Sequence, residues 1–405
     1  MEDYEQVIDR LFRTGHAEGK TPSLETAHIL NTQLNHPSAA YACIHVAGSN
    51  GKGSVTTKIA KVLELSGYRV GVYTSPHLFS FCERIAVNGV PISKEDVIRG
   101  MHRLFALADR LQPTFFELTT FLAMDYFREK KVDVAVIETG LGGRYDATNV
   151  LCPLLSIITS ISLEHTHLLG THIEQIAAEK AGIIKEGIPV VLGPKASVRT
   201  IYERAKHLHC PVFLSEKTSS YFDEVNTAVA ELALEQLASH FTIGNEALQK
   251  GLLLRPPCRF EQIGRCIFDV AHNPDAISSL LKALQTSFPG SKFRFLVGFS
   301  KDKEYSRCLD LIAEVATHLH LVQAGSSRAA APLELKSAMK NEDPRLCSCH
   351  FSIAEAVDVA SLEAHAKGEI LVVCGSFYIM AEAKAAFSYC GNEMILPSGL
   401  SSSVN

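Results

Sequence analysis

The run His45-Val46-Ala47-Gly48-Ser49-Asn50-Gly51-Lys52-Gly53-Ser54-Val55 sets three glycines, a lysine and two serines between an apolar stretch and a helix-like pattern. Such a run can cradle phosphate. The glycines let the backbone close around an anion, Lys52 adds a mobile positive charge, and the Ser54 hydroxyl is placed to hold a magnesium ion. Cys43 to Ala47 reads as a short buried strand, while Val55, Ile59, Val62 and Leu63 recur at helical spacing. A loop between them presents free N–H groups at a helix's positive end, so ATP is the expected occupant of Asn50, Gly51, Lys52, Gly53 and Ser54. The loop departs from the usual G-x-x-x-x-G-K-[ST] spacing. Gly53 separates Lys52 from Ser54, and Val46 stands where the first glycine belongs.

Other apolar runs also end in polar residues. Val72-Tyr73 leads into Thr74-Ser75-Pro76-His77-Leu78, and Val136-Ile137 into Glu138-Thr139-Gly140-Leu141-Gly142-Gly143-Arg144. Ile157-Ile158 leads into Thr159-Ser160-Ile161-Ser162-Leu163-Glu164-His165. Strand ends on one edge of an open parallel sheet form the ligand crevice, so Ser75, Glu138 and His165 are expected near Lys52. Oxygen donors with one imidazole suit Mg²⁺ or Mn²⁺ shared with phosphate oxygens, rather than a closed zinc site. Taken singly, each reads equally as a strand-end polar residue. Lys180, in Glu179-Lys180-Ala181-Gly182-Ile183, falls in a short helical stretch just downstream.

The elements that position these residues alternate. Runs at Arg69–Thr74, Val132–Glu138, Leu154–Thr159 and Pro189–Leu192 read as buried strands between helix-period segments, the pattern of a parallel, helix-covered sheet. Paired prolines in Arg255-Pro256-Pro257-Cys258-Arg259 break the pattern and suggest a linker over 255–262. A second series, with strands near Cys266–Val270, Phe293–Val297, His318–Val322 and Ile370–Cys374, reads as a smaller α/β domain. The expected division is 1–254, linker, 263–390, and a loose Ser-rich tail over 391–405.

Across 405 residues the net charge is -5, with Lys and Arg scattered, which offers nucleic acid no basic footprint. No apolar run approaches the roughly 18 residues a membrane span needs, and the acidic start Met1-Glu2-Asp3 is unlike a signal, so a cytoplasmic protein is expected. The 11 cysteines, several inside strand-like runs, fit a reducing compartment. Cys347-Ser348-Cys349-His350 has metal-ligating residue types but no second ligand pair at recognisable spacing, and reads as coincidence. With no exposed apolar helix standing out, a monomer is expected.

Five strings occur in order: Gly48 to Ser54, Ser75-Pro76-His77-Leu78, Glu138 to Asn149, Glu179 to Ile183, and Asp269-Val270-Ala271-His272-Asn273-Pro274. Together with Gly375-Ser376-Phe377-Tyr378, they resemble the folylpolyglutamate synthase and dihydrofolate synthase family of Mur-type ligases from about Leu24 to Ala381. The resemblance implies a P-loop ATPase domain with a parallel sheet and a smaller Rossmann-like C-terminal domain. It implies two Mg²⁺ ions held by Ser54, Ser75, Glu138, His165 and a carbamylated Lys180. Asn226, Arg259 and Asp269 would contact the nucleotide, His272 and Ser376 the incoming glutamate, and Thr114 and Asp146 dihydropteroate. Glu164 replaces a usual Asp, and Ser49 a usual Thr. The implied reaction moves ATP's γ-phosphoryl group to a carboxylate and lets L-glutamate displace phosphate, on dihydropteroate, on tetrahydrofolate, or on both. A cell-wall precursor ligase and an ATP-binding regulatory module without ligase activity are the rival readings.

Overall fold

Short runs rich in β-branched residues bury well on both faces, and they supply the centre of the first sheet. The computed structural model describes residues 2–15, 23–326, 328–340 and 346–391. The chain divides into two compact units between Pro256 and Pro257.

The first unit holds strands β1 (Ala42–Ala47), β2 (Val70–Tyr73), β3 (Ile85–Val87), β4 (Val90–Pro91), β5 (Val134–Glu138), β6 (Leu155–Ile158), β7 (Val190–Leu192) and β8 (Val212–Leu214). Their order is β4-β3-β2-β5-β1-β6-β7-β8. From β2 to β8 the neighbours run parallel. The sequence suggests a parallel sheet throughout, but β3 and β4 add an antiparallel edge. Its turn is Asn88-Gly89, both at positive φ, a hairpin pair that β-strand alternation over so few residues does not reveal. Pro91 is accommodated because β4 is an edge strand, where a missing N–H is harmless.

Alternation along β1 sends Ile44 and Val46 to one face, against Val55, Ile59 and Val62 of the helix Lys52–Leu65 and Val229 of the helix Phe222–Gln236. Each such side chain contributes about 1.5–3 kcal/mol on burial. Cys43 packs on the opposite face with Tyr73, Ile137 and Phe121, the last from the helix Phe115–Glu129. His45, two residues on, shares that apolar face.

The second unit holds β9 (Glu261–Ile263), β10 (Cys266–Phe268), β11 (Phe293–Val297), β12 (Ala316–Leu321), β13 (Cys347–Cys349) and β14 (Ile370–Cys374), in the order β13-β12-β11-β14-β10-β9. All pairs are parallel except β9 with β10. Phe293, Phe295, Leu319, Leu321 and Val372 form its core with the helices Pro274–Ser287 and Tyr305–Ala313. A polar cluster sits elsewhere in the same sheet. Buried Arg294 donates to Glu369 (2.8 Å) and to His320 Nε2 (3.1 Å), and also pairs with Glu363 from the helix Ile353–Lys367. His320 Nδ1 lies 3.0 Å from His350 Nε2, and the Ser348 hydroxyl lies 3.1 Å from His318 Nε2.

Among the described residues, no group of three or more His, Cys, Asp or Glu is arranged to hold a metal, and no helix is long and apolar enough to cross a membrane. The expected tail falls, after Gly391, outside the described residues.

Candidate active site

The loop after β1 is pinned to the loop after β6. Ser49 N–H donates to Ser160 O (2.8 Å), Asn50 N–H to the Ser160 hydroxyl (2.9 Å), and the Thr159 hydroxyl to Asn50 O (2.7 Å). Ser162 N–H in turn donates to the Ser49 hydroxyl (3.0 Å), which explains why serine can stand there. Gly48 and Gly51 have φ of 149° and 90°. A Cβ on Gly48 would fall 1.9 Å from Thr159 Oγ1, and one on Gly51 would fall 2.3 Å from Asn226 Oδ1, so only glycine fits either place. Asn226 therefore sits directly on the phosphate loop. Ser54 is buried in the first turn of the following helix.

Two ammonium groups meet at one carbonyl. Lys52 Nζ donates to Gly48 O (2.8 Å) and Ser49 O (3.2 Å), and Lys180 Nζ donates to the same Gly48 O at 3.0 Å. Lys180 is the last residue of the helix Ile173–Lys180, 1% exposed, and its second partner is Glu164 Oε1 at 2.6 Å. Burial depresses the lysine's proton affinity, against the pull of Glu164. Burial also acts on Glu164, but the charges of Lys180 and Lys52 outweigh it and hold the carboxyl well below the usual range. His165, next in sequence, opens the short helix Thr166–Leu169 with a left-handed φ of 46°.

Glu138 ends β5 and is buried. Its Oε2 accepts from Ser75 N–H at 3.1 Å, and it faces Gly53 closely enough that a Cβ there would lie 3.5 Å away. Ser75 and Glu138 are thus brought together beside the phosphate loop. As donors, the Ser54 and Ser75 hydroxyls, the Glu138 carboxylate and the His165 imidazole fit a hard divalent cation only in company with phosphate oxygens or water, because the acidic side chains alone are too few.

The loop after Glu138 folds onto Asp146. Asp146 Oδ2 accepts from Gly140 N–H (2.8 Å) and Leu141 N–H (2.9 Å), while Oδ1 accepts from Thr148 N–H (3.0 Å) and the Thr148 hydroxyl. Burial raises this carboxyl's proton affinity, and these four donors oppose the shift. Gly143 and Gly182 let the loop seat on the segment that carries Lys180: a Cβ on Gly182 would come within 2.3 Å of Arg144 Cα. Thr114 caps the helix Phe115–Glu129 in a capping box with Glu117, so in this structure it has a local duty as well.

In the second unit, Arg259 lies 5.0 Å from the Phe377 ring centroid, and His272 meets the same ring edge-on at 5.6 Å. Asp269 is buried after β10 and accepts from Phe260 N–H (2.7 Å) and Ala271 N–H (2.8 Å). Burial raises its proton affinity and Arg259 opposes that. His272 Nδ1 is 2.8 Å from Val270 O, and the Ser376 hydroxyl accepts from Tyr378 N–H at 3.2 Å. Arg259, Asp269 and His272 thus share one corner of the second unit with the Ser376–Phe377 turn. The serine clamp after β6 and the network around Asp146 are not singled out by the sequence, although the string of Ser and Thr after Ile158 is its visible trace.

A sheet whose central strand feeds a lysine-bearing phosphate loop, followed by a second α/β unit, defines an ATP-dependent ligase of the Mur type. Residues 46–249 match the Mur ligase middle domain, and residues 258–377 match the glutamate ligase domain of Mur ligases. The Bacillus subtilis dihydrofolate synthase/folylpolyglutamate synthase is 34% identical over 420 residues, covering 90% of this chain and 95% of its own. Lacticaseibacillus casei folylpolyglutamate synthase is 34% identical over 351 residues, 74% of this chain and 80% of its own. Escherichia coli FolC in complex with DHPP and ADP superposes with a TM-score of 0.86 at 26% identity, over 96% of this chain and 99% of that one. A Yersinia pestis bifunctional folylpolyglutamate synthase/dihydrofolate synthase complexed with AMPPNP and Mn ion gives 0.84 at 27%, over 96% and 98%. The chain belongs to the dihydrofolate synthase/folylpolyglutamate synthase family of Mur ligases.

Proposed function

We propose that this ligase joins L-glutamate to dihydropteroate, forming dihydrofolate, and lengthens the glutamate tail of tetrahydrofolates, with ATP converted to ADP and phosphate. The observation that carries this reading is the meeting of Lys52 and Lys180 at the Gly48 carbonyl, with Glu138 at the mouth of the same loop. A carboxylate oxygen of the folate substrate attacks the γ-phosphorus, the bond to the β–γ bridging oxygen breaks, and ADP leaves. The amino group of glutamate then attacks the acyl phosphate carbonyl, phosphate departs, and the nitrogen loses a proton to leave an amide.

Lys52 exchanges its two loop carbonyls for phosphoryl oxygens, and the N–H groups of Gly51 to Ser54 orient the polyphosphate, while the Asn50 N–H stays on the Ser160 hydroxyl. Asn226, Arg259 and Asp269 are assigned to the nucleotide, His272 and Ser376 to glutamate, and Thr114 and Asp146 to the pterin. Ser54, Ser75, Glu138, His165 and a carbamylated Lys180 would hold two Mg²⁺ ions, which would supply Lewis-acid neutralisation of the phosphoryl oxygens. Carbamylation needs the neutral amine, and the burial that depresses Lys180 favours that form. His165 serves as a ligand rather than a base. The substrates are small and soluble, which suits a cytoplasmic monomer.

The deciding experiment is ATP-dependent incorporation of labelled glutamate with dihydropteroate and, separately, with tetrahydrofolate, following ADP release. Activity with both establishes the bifunctional enzyme, and activity with one assigns a monofunctional synthase. Silence with both, in Mg²⁺ and bicarbonate, overturns the reading. Activity on a nucleotide-linked cell-wall precursor would replace it.

A further inference from the structure

His45 is fully buried in the strand that delivers the phosphate loop, and its Nε2 lies 2.7 Å from Thr148 Oγ1. Thr148 has a single hydroxyl proton, and that proton goes to Asp146 Oδ1. The hydroxyl oxygen must therefore accept from His45, which fixes the imidazole as the Nε2–H tautomer. Its Nδ1 is then a bare lone pair, and among the described residues it has no hydrogen-bond partner. Burying a polar atom unpaired is unfavourable, so packing alone would favour an aliphatic residue at this place on an apolar face. The other end of the chain of donors explains its presence. Asp146 accepts from Gly140, Leu141 and Thr148, and so dictates the path of the loop between Glu138 and Arg144. That loop's far side rests on Glu179 O through Arg144 N–H at 2.7 Å.

We infer that His45 is a positioning residue: by donating to Thr148 it aims the Thr148 hydroxyl at Asp146 and so holds the Glu138–Arg144 loop in the shape that receives the pterin substrate. This rests on the folate reading for the identity of the substrate, but not for the shape of the loop. His45 couples strand β1, which carries the phosphate loop, to the floor of a second site without touching either ligand. Glutamine at this position keeps a donor at the place of Nε2, whereas leucine removes it.

The test compares His45→Leu, Thr148→Val and His45→Gln with the unaltered chain in two measurements. The first is hydrogen exchange of the Gly140 and Leu141 amides, which needs no substrate. At least tenfold faster exchange in His45→Leu and Thr148→Val, restored to within threefold in His45→Gln, is expected. The second is steady-state kinetics, in which KM for the pterin substrate rises about tenfold in the first two variants while KM for ATP stays within twofold. The double variant His45→Leu/Thr148→Val should be no worse than either single one. Should His45→Leu fail to fold, Thr148→Val, nearly isosteric, decides alone. Unchanged exchange in an active enzyme overturns the inference, as does a rise in both KM values together, which would mark a merely structural role. If the unaltered chain is inactive on both folate substrates, the functional reading fails, and exchange alone still tests the loop's dependence on His45.

Discussion

Glu164→Gln isolates the charge balance at the centre of the site. Lys180 and Glu164 have side chains 1% and 7% exposed and a 2.6 Å contact, so the amide would leave an ammonium ion buried with no counter-charge of its own. Removing one partner of a buried pair costs about 3–5 kcal/mol. At roughly 2–4 °C per kcal/mol for a unit of this size, the unfolding midpoint of the first unit should fall by about 6–20 °C. Because Glu164 is depressed in the folded chain, its contribution is complete above its ordinary value of 4.5 and is lost as pH falls further. The assay is thermal unfolding near neutral pH in CO2-free buffer, repeated with bicarbonate. Carbamylated Lys180 carries a negative charge and no longer needs Glu164, so bicarbonate should shrink the penalty. A loss below about 1 kcal/mol without CO2 would refute the argument that this pair balances the site.

Lys180→Ala should abolish ligation and be partly rescued by small carboxylic acids; no rescue by any such acid counts against carbamylation. Gly182→Ala must push the Arg144 backbone by about 1 Å, which predicts a destabilisation of about 1–3 kcal/mol and a loss of turnover approaching ~100-fold, read by calorimetry and initial rates. In the second unit, burial, with His318, His350 and Arg294 adding repulsion, lowers His320 from 6.5 to about 3, while Glu363 and Glu369 face the same cluster. A depressed histidine stabilises above its unfolded value, so this unit should lose stability as pH falls from about 6.5 towards 3. His320→Gln should flatten that dependence in pH-resolved unfolding, and an unchanged slope would contradict it.

The central strands were legible because β1, β5 and β6 are predominantly apolar, each broken by a single polar residue, His45, Glu138 and Ser156. The hairpin of β3 and β4 was not, since its strands are too short to show alternation. Lys52, Ser54, Ser75 and Glu138 could be placed from spacing, because a strand end fixes where the next residue lies. From spacing alone Lys180 reads as a solvated lysine; only the family resemblance singles it out, and in the structure its Nζ ends on Gly48 O. His45 was hidden for a different reason. A histidine inside an apolar run looks like an ordinary core residue, and its partner Thr148 is 103 positions away in the chain.

The serine clamp has a thermodynamic consequence. Fixing a flexible backbone costs about 1–2 kcal/mol per residue, and Ser49 and Asn50 are already held in place by Thr159, Ser160 and Ser162. On the proposed reading, polyphosphate would meet a receptor partly ordered during folding. Discrimination among nucleotides should then fall to groups outside the loop. Substitutions at Ser160 should weaken every polyphosphate ligand alike, by loosening a mould rather than by deleting a contact.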